Sequence, residues 1–473
     1  MFHGSIRFLV PLLAGAMLAL PCLSQAAPVR PQVDANGAHA VSEEAQVYRT
    51  AKSGVVTVET DFGHGTGFVF DKRGLVLTNQ HVTNGTDWIA LRFGRGLRVP
   101  ASVVCEDKEA DVAVVCFNPE AVKTFSVLDL ADAHSGVLAV EGERVLAIGN
   151  PLHQDTVLTT GIVSKLENGV IISNVNINHG SSGGPLLNLS GKVIGITTFG
   201  DFTAQGGPGI SGIVAIGKAE RAMAEANTKI SSMTLPSSGL LPDISMVPVP
   251  PAALTEAAER SIKPETMKVA GFEGEIITPF VLASQRGELE REAAKKKGRR
   301  PSTGRGVDPS RFWEQYVGTV DQPVVTVMVS PQIGETSGSK RRGFWGAFGG
   351  GLLGVAIITK KSFEFKSEFA AMQLYRGDTL VEPVRRSRVA YEISVDNSAV
   401  KMKDKSYRGV YQYDPSAFDP SQPLQIRVFK ASDPSKYSVV KLDKKVQQRI
   451  WDEFAAYRAA CDSASPSVSS GAP

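Results

Sequence analysis

Hydrophobic and polar positions change period twice along this chain. Val41 to Lys52 has helical spacing, with Val41, Ala45, Val47 and Tyr48 near one face. From Gly54 the period falls to two. Gly54–Thr60 is β-branched and alternating, and Gly65–Phe70 and Leu75–Thr78 follow, with a turn at Asp71 to Gly74. Further short strands are predicted at Ala101–Cys105, Val112–Phe117, Arg144–Ile148, Thr156–Val163, Val170–Ser173, Lys192–Thr198 and Gly212–Ile216. Short strands at regular spacing, separated by turn residues, indicate an all-β sandwich or barrel. Gly217 to Ala226 reads as a short closing helix.

The pattern then changes character. Thr228 to Pro251 is rich in Ser, Pro, Met and Leu, so residues 226–262 read as a linker or an extended arm. Ser284 to Lys297 is charged and helical in propensity. Val324–Val329 is a strand, and alternation returns at Phe363, Phe365 and Phe369, at Tyr391, Ile393 and Val395, and at Leu424, Ile426 and Val428. Val446, Ile450, Phe454 and Tyr457 mark one face of a last helix. Residues 263–460 are therefore expected to form a separate α+β or mostly-β accessory domain, with a disordered tail at 461–473. At 473 residues, two domains are the natural expectation.

The N-terminus reads as an export signal. Arg7 precedes an apolar run of thirteen residues, Phe8 to Leu20, which is short for a membrane span, and Ser24-Gln25-Ala26 supplies small residues for a peptidase. The expectation is a signal peptide over 1–26, a flexible leader over 27–40, and a periplasmic or extracellular destination. Beyond the signal, Cys105, Cys116 and Cys461 remain, an odd number. Cys105 and Cys116 flank a hairpin. Pairing around a turn near Glu109 sets Cys105 opposite Ala113, which favours two buried thiols over a bridge.

A net charge of +3 is too mild to indicate a nucleic-acid partner. The basic run Lys295 to Arg305 suits an anionic surface, although a solvated loop explains it more simply. Gly343 to Thr359 is apolar with basic flanks, yet short and Gly-rich for a span, so a covered hairpin is the better reading. Arg376-Gly377-Asp378 reads as a turn. No Cys/His spacing indicates zinc and no Gly-rich phosphate loop is present, so no metal or cofactor is expected.

Candidate chemistry centres on Ile177-Asn178-His179-Gly180-Ser181-Ser182-Gly183-Gly184-Pro185. A serine among glycines suits a nucleophile on a tight, open loop, where the Gly180 and Ser182 N–H groups can converge on an oxyanion. Such a hydroxyl needs a base, and the base an orienting group. Of seven histidines, His81 alone closes an apolar strand, in Thr78-Asn79-Gln80-His81-Val82; a structural histidine is the plain alternative. Asp111 opens the strand Val112–Val115 after a charged turn, where a turn role is the alternative. The order His81, Asp111, Ser182 is one of the known triad orders.

Six blocks in one order, Gly65–Phe70, Leu77–Val82, Asp111–Val115, Ala147–Pro151, Thr160–Ser164 and Gly180–Pro185, resemble the trypsin-like serine proteases of the HtrA (Do-like) family. The resemblance covers about residues 41–225 and implies a chymotrypsin-like double β-barrel with the site between the barrels. It implies Ser182 as nucleophile, His81 as general base and then acid, Asp111 as orienter, and Gly180 and Ser182 as oxyanion donors. Asn176, Ile177 and His179 would face the substrate. No carboxylate lies in Asn174–Asn178, so a Lys/Arg-directed pocket is not expected, and Ile177 points to small or medium aliphatic residues. The chain departs from the family in having Ser181 where Asn is usual and His179 where Pro is frequent. It also shows no PDZ pattern after residue 225 and no Ile-Val-Gly-Gly activation site. An exported endopeptidase acting on unfolded or exposed segments is the leading expectation. A catalytically silent scaffold that binds through its C-terminal half is the competing one.

Overall fold

The computed structural model describes residues 41–464 except 95, 135–137, 151–155, 199–209, 296–320, 336–362, 392, 396–397 and 401–405. The signal, the leader, the 296–305 part of the basic run and the Gly-rich segment at 343–359 lie outside these residues. Helix α1 (Glu43–Ala51) leads into strands β1 (Val55–Thr60), β2 (Gly63–Asp71) and β3 (Leu75–Thr78). A helical turn α2 (Gln80–Thr83) follows, then β4 (Ile89–Phe93), β5 (Leu97–Asp107) and β6 (Val112–Phe117). These six strands close a barrel in the order β1-β2-β3-β6-β5-β4. Strands β7 (Arg144–Gly149), β8 (Val157–Glu167), β9 (Val170–Ser173), β10 (Pro185–Asn188), β11 (Val193–Thr197) and β12 (Ser211–Ala215) close a second barrel. Helix α3 (Glu220–Lys229) packs back on the first.

The continuous apolar strands have a direct cause. Along β6 all six residues are buried. Val115 and Phe117 fill the first barrel with Val56, Val58, Val69, Val76 and Leu91. Val112, Val114 and Cys116 point the other way, into a core shared with Leu146, Ile148, Leu187, Val193 and Ile196 of the second barrel. A strand buried on both faces loses its alternation. The second barrel has its own interior around Val145, Val163, Ile171, Leu186, Ile194 and Ile213.

Several expectations shift in detail. Strand β4, Ile-Ala-Leu-Arg-Phe, and strand β10, which starts at Pro185 directly after the glycine-rich loop, are additional to the predicted set. His81 does not end β3; it lies inside α2. A bulge between Val103 and Cys105 slides the β5–β6 register by one, so Cys105 faces Val114 rather than Ala113, and Cys116 faces Ser102. Both thiols are free and buried.

The Pro-rich segment after α3 lies along the first barrel. Leu241 N–H donates to Arg98 O at 2.8 Å, and the Arg98 guanidinium donates to the Pro242 carbonyl. Arg92 pairs with Asp243. Helix α4 (Pro251–Glu259) then packs into the accessory core. There β13 (Glu265–Val269), β14 (Phe272–Ile277), helix α5 (Pro279–Lys295) and β15 (Val325–Pro331) precede β16 (Ile333–Glu335) and β17 (Phe363–Phe365). The remaining strands are β18 (Phe369–Arg376), β19 (Thr379–Val381), β20 (Arg385–Tyr391), β21 (Ile393–Val395), β22 (Ser398–Val400), β23 (Ser406–Tyr413), β24 (Leu424–Lys430) and β25 (Asp433–Lys441). They build a five-stranded sheet, β13-β14-β15-β23-β20, and a four-stranded sheet, β19-β18-β24-β25. Helices α6 (Lys444–Glu453) and α7 (Ala455–Ala464) close the unit, so the alternation at 424–428 and the face at 446–457 take the predicted forms. Among the described residues no helix is long and apolar enough to cross a membrane.

Burial pushes the Cys105 thiol up to about 11, and its Sγ–H donates to Ala222 O at 3.2 Å. A thiol reacts as its thiolate. Iodoacetamide at pH 8 is therefore expected to leave Cys105 and Cys116 unmodified in the folded chain and to modify both in 6 M urea, as peptide mass mapping would show.

Candidate active site between the barrels

The site is built from four short segments: the start of β2, the turn α2, the residue before β6, and the glycine-rich loop before β10. Asp111 has φ +53, in the left-handed region that Asp tolerates better than most residues. In that conformation its carbonyl accepts from Asn79 Nδ2 at 2.9 Å, and its carboxylate turns back onto α2. Oδ1 accepts from the His81 backbone N–H at 3.0 Å. His81 Nδ1 lies 3.0 Å from Oδ1 and 2.9 Å from Oδ2. One carboxylate thus holds both the main chain and the ring of His81. Thr198 Oγ1, from the residue just after β11 in the other barrel, donates to Oδ2 at 3.2 Å.

This grip selects a tautomer. A nitrogen facing two carboxylate oxygens carries the proton, which leaves Nε2 of a neutral ring as the acceptor. The His81 side chain is 44% exposed, so the ring is reachable from outside the core. Asn79 precedes α2 without capping it, because its amide serves Asp111.

Ser182 is buried, and its loop is held from both barrels. Thr66 N–H donates to Ser182 O at 2.7 Å. The Thr66 hydroxyl donates to Gly180 O at 2.7 Å and accepts from Asn150 N–H at 3.0 Å. Thr66 O in turn accepts from Thr78 Oγ1 at 2.7 Å. From the second barrel, Thr197 Oγ1 donates to Ser181 O at 2.7 Å, and Gly184 N–H donates to the same carbonyl at 3.1 Å. Because a trans peptide sets N–H and C=O on opposite sides, the Ser182 N–H points away from Thr197. Gly183 has φ +89, and a Cβ there would fall 2.1 Å from Thr66 O. Gly180 has φ +94, and its Cβ would meet His64 Nε2 at 2.5 Å. Both glycines are therefore required by backbone conformation and by space.

His81 and Asp111 come together directly. Ser182 lies alongside: a Cβ on Gly65 would touch both Val82, the neighbour of His81, at 2.7 Å and Ser182 O at 3.0 Å. A shallow recess of about 20 Å³ beside the loop is bordered by Ala147, Gly149, Thr159, Asn176, Ile177 and Ser181, among others. Asn176 and Ile177 reach it as expected, with Ile177 also packed into the second barrel's core. His179 is exposed and is not among its lining residues. Thr66, Asn79 and Thr198 were not singled out in the sequence. Thr66 carried a weak sign, a polar residue between glycines in an apolar strand. Among the described residues, no three His, Cys, Asp or Glu side chains gather as a metal site.

Residues 65–196 match the trypsin-like peptidase domain. A probable periplasmic serine endoprotease, DegP-like, of Halomonas elongata is 36% identical over 151 residues, 30% of each chain. The putative serine protease HhoA of Synechocystis is 35% identical over 148 residues, 29% of this chain and 36% of that one. Protease Do-like 1, chloroplastic, of Arabidopsis thaliana is 37% identical over 155 residues, 30% of this chain and 34% of its own. The chain thus spans about a third of the length of these relatives.

Two substitutions test the seat of the loop. Thr66→Val leaves the Gly180 carbonyl and the Asn150 N–H without their shared partner and is expected to cost about 1–3 kcal/mol in urea denaturation. Gly183→Ala, which drives a methyl into a backbone oxygen, is expected to cost more than Thr66→Val. A loss below about 0.5 kcal/mol for Thr66→Val, within the range of ordinary surface changes, would show that the cross-barrel bonds are dispensable.

Proposed function

We propose, from the premise that residues 65–196 are a trypsin-like peptidase domain of the HtrA-like kind, that the chain is an exported serine endopeptidase acting on unfolded or exposed protein segments. The observation that carries this reading is the two-point hold of Asp111 on His81 beside a serine loop in which the carbonyls of Gly180, Ser181 and Ser182 are tied down.

In the proposed reaction, His81 Nε2 takes the Ser182 hydroxyl proton as Oγ attacks the scissile carbonyl. Asp111 keeps the proton on Nδ1 and stabilises the imidazolium that forms. The developing oxyanion is met by the Gly180 and Ser182 N–H groups. The imidazolium then protonates the leaving amine, and water repeats the sequence on the acyl-enzyme. The recess bordered by Asn176 and Ile177 holds no carboxylate, which supports an aliphatic rather than a basic residue before the scissile bond. His179, exposed beside Gly180, would face the substrate from the loop's outer side. Export to the periplasm or beyond rests on the Phe8–Leu20 run and accords with the word periplasmic in one relative's name.

The test is covalent labelling. A fluorophosphonate is expected to modify Ser182 in the folded chain, with casein cleaved by the same preparation. Ser182→Ala should abolish both, a loss on the order of 10⁶-fold in kcat. Asp111→Asn should lower kcat by about 10⁴-fold, because the carboxamide can favour the wrong tautomer. Absence of Ser182-dependent labelling and of cleavage in the parent chain would instead support a silent scaffold that binds through residues 263–460.

A further inference from the structure

The turn between β1 and β2 is gripped by the accessory unit. Asp61, whose side chain is fully buried, meets Arg386 Nε at 2.6 Å and Arg388 Nε at 3.3 Å. Arg386 Nη2 donates to Asp61 Oδ2 at 3.2 Å, and the Arg388 backbone N–H donates to Asp61 O at 2.7 Å. Arg388 also pairs with Asp87 of the first barrel. Phe62 packs edge-on against Tyr407, with ring centroids 5.8 Å apart. Arg386 and Arg388 sit on β20, the edge strand of the five-stranded sheet, so this turn covers an edge that would otherwise be open.

The same hairpin reaches the candidate active site. Within the turn, Asp61 N–H donates to Thr86 Oγ1 at 3.4 Å, and Thr60 Oγ1 donates to Gly63 O at 3.2 Å. Residues 64–66 follow directly. His64 lies against Gly180, and Thr66 holds the carbonyls of Gly180 and Ser182. Asp61 and Thr66 are five residues apart, across the end of the turn and the first residues of β2. The path is short: the two turn residues Asp61 and Phe62, then β2 from Gly63, which pairs with β1 through His64, Gly65 and Thr66, so displacement at Asp61 reaches the loop through few residues. A carboxylate buried with two guanidiniums is also a two-sided constraint: docked, it is ion-paired to both arginines, whereas removal of one partner leaves a buried charge less compensated.

We propose that Asp61, Arg386 and Arg388 are positioning residues for the proposed peptidase reaction, through which the accessory unit sets the β1–β2 hairpin and, by way of Thr66, the seat of Gly180 and Ser182. This rests on the serine peptidase reading. The accessory unit is then required for full activity on a short peptide that is too small to touch it.

The experiment compares full-length parent, Arg386→Met/Arg388→Met and Asp87→Asn chains. It measures the fluorophosphonate labelling rate at Ser182, and kcat and KM on a short peptide substrate. The double variant is expected to label and turn over between about tenfold and 100-fold more slowly, the scale of a misplaced reacting group, with KM changed less than about threefold. Asp87→Asn, at the exposed rim, is expected to stay within about twofold of the parent, since exposed pairs contribute little. If the double variant does not fold, Arg388→Gln, which keeps the closer Arg386 pair, decides by the same measurements. A folded double variant, or in its place Arg388→Gln, labelling within about twofold of the parent overturns the proposal. A parent chain that does not label at all defeats the peptidase reading instead, so the two failures are distinguishable.

Discussion

Thr66 joins the two barrels at the point where chemistry is proposed. Its N–H and hydroxyl belong to the first barrel, yet they hold the carbonyls of Ser182 and Gly180, which belong to the second. Neutral hydrogen bonds of this kind contribute about 1 kcal/mol each, so their value lies in direction more than in stability. A glycine-rich loop has many conformations open to it. Tying the Ser181 carbonyl to Thr197 turns the Ser182 N–H the other way, and fixing one proposed donor in advance is what an oxyanion site requires before substrate arrives. His81 depends on the same principle: Asp111 takes up a left-handed backbone conformation so that one carboxylate can reach both a main-chain N–H and the imidazole.

The apolar core between the barrels makes these bonds possible. Cys105, Val114 and Leu77 from one barrel pack with Ile148, Leu187 and Ile196 from the other. Close-packed interfaces of this kind transmit displacement instead of absorbing it. The polar bonds of the site sit at the margin of that core, where a shift of one barrel would break several together. On the opposite side of the first barrel, charge replaces apolar contact. Arg98, fully buried, is shared between Glu59 and the Pro242 carbonyl, and Arg92 bridges Glu59 and Asp243. The arm after α3 is thereby fastened to strands β1, β4 and β5. Burial raises the Asp61 carboxyl even though Arg386 and Arg388 pull it down, which marks how fully water is excluded there.

Much of the first half was legible because its physics is local. Period-two alternation located most barrel strands, and the triad candidates stood out by residue type and order. What was not legible depends on pairing across distance. Strand β10 begins with Pro185 as soon as the loop ends and is only four residues long, too short for a period. The Cys105 register turned on a single bulge. Thr66 shows only a weak local sign in sequence, because its partners lie 84 and 114 residues away. His81 was assigned to a strand end, since nothing local distinguishes a strand terminus from the single helical turn that follows Asn79. In the second half, nothing local distinguishes Arg386 and Arg388; their partner Asp61 lies more than 300 residues earlier in the chain. Ile177, read as a substrate contact, proves to share its side chain with the second barrel's core.

The central claim is that a serine loop from one barrel is pre-set by the other for attack on a carbonyl. A crystal structure of the chain reacted with a peptidyl boronate tests it most directly. Boron is expected to be bonded to Ser182 Oγ, with a boronate oxygen about 2.7–3.1 Å from the Gly180 and Ser182 N–H groups and the Thr66 bonds to Gly180 and Ser182 unchanged. Boron bonded elsewhere, or a loop that must release Thr66 to bind the inhibitor, would contradict it.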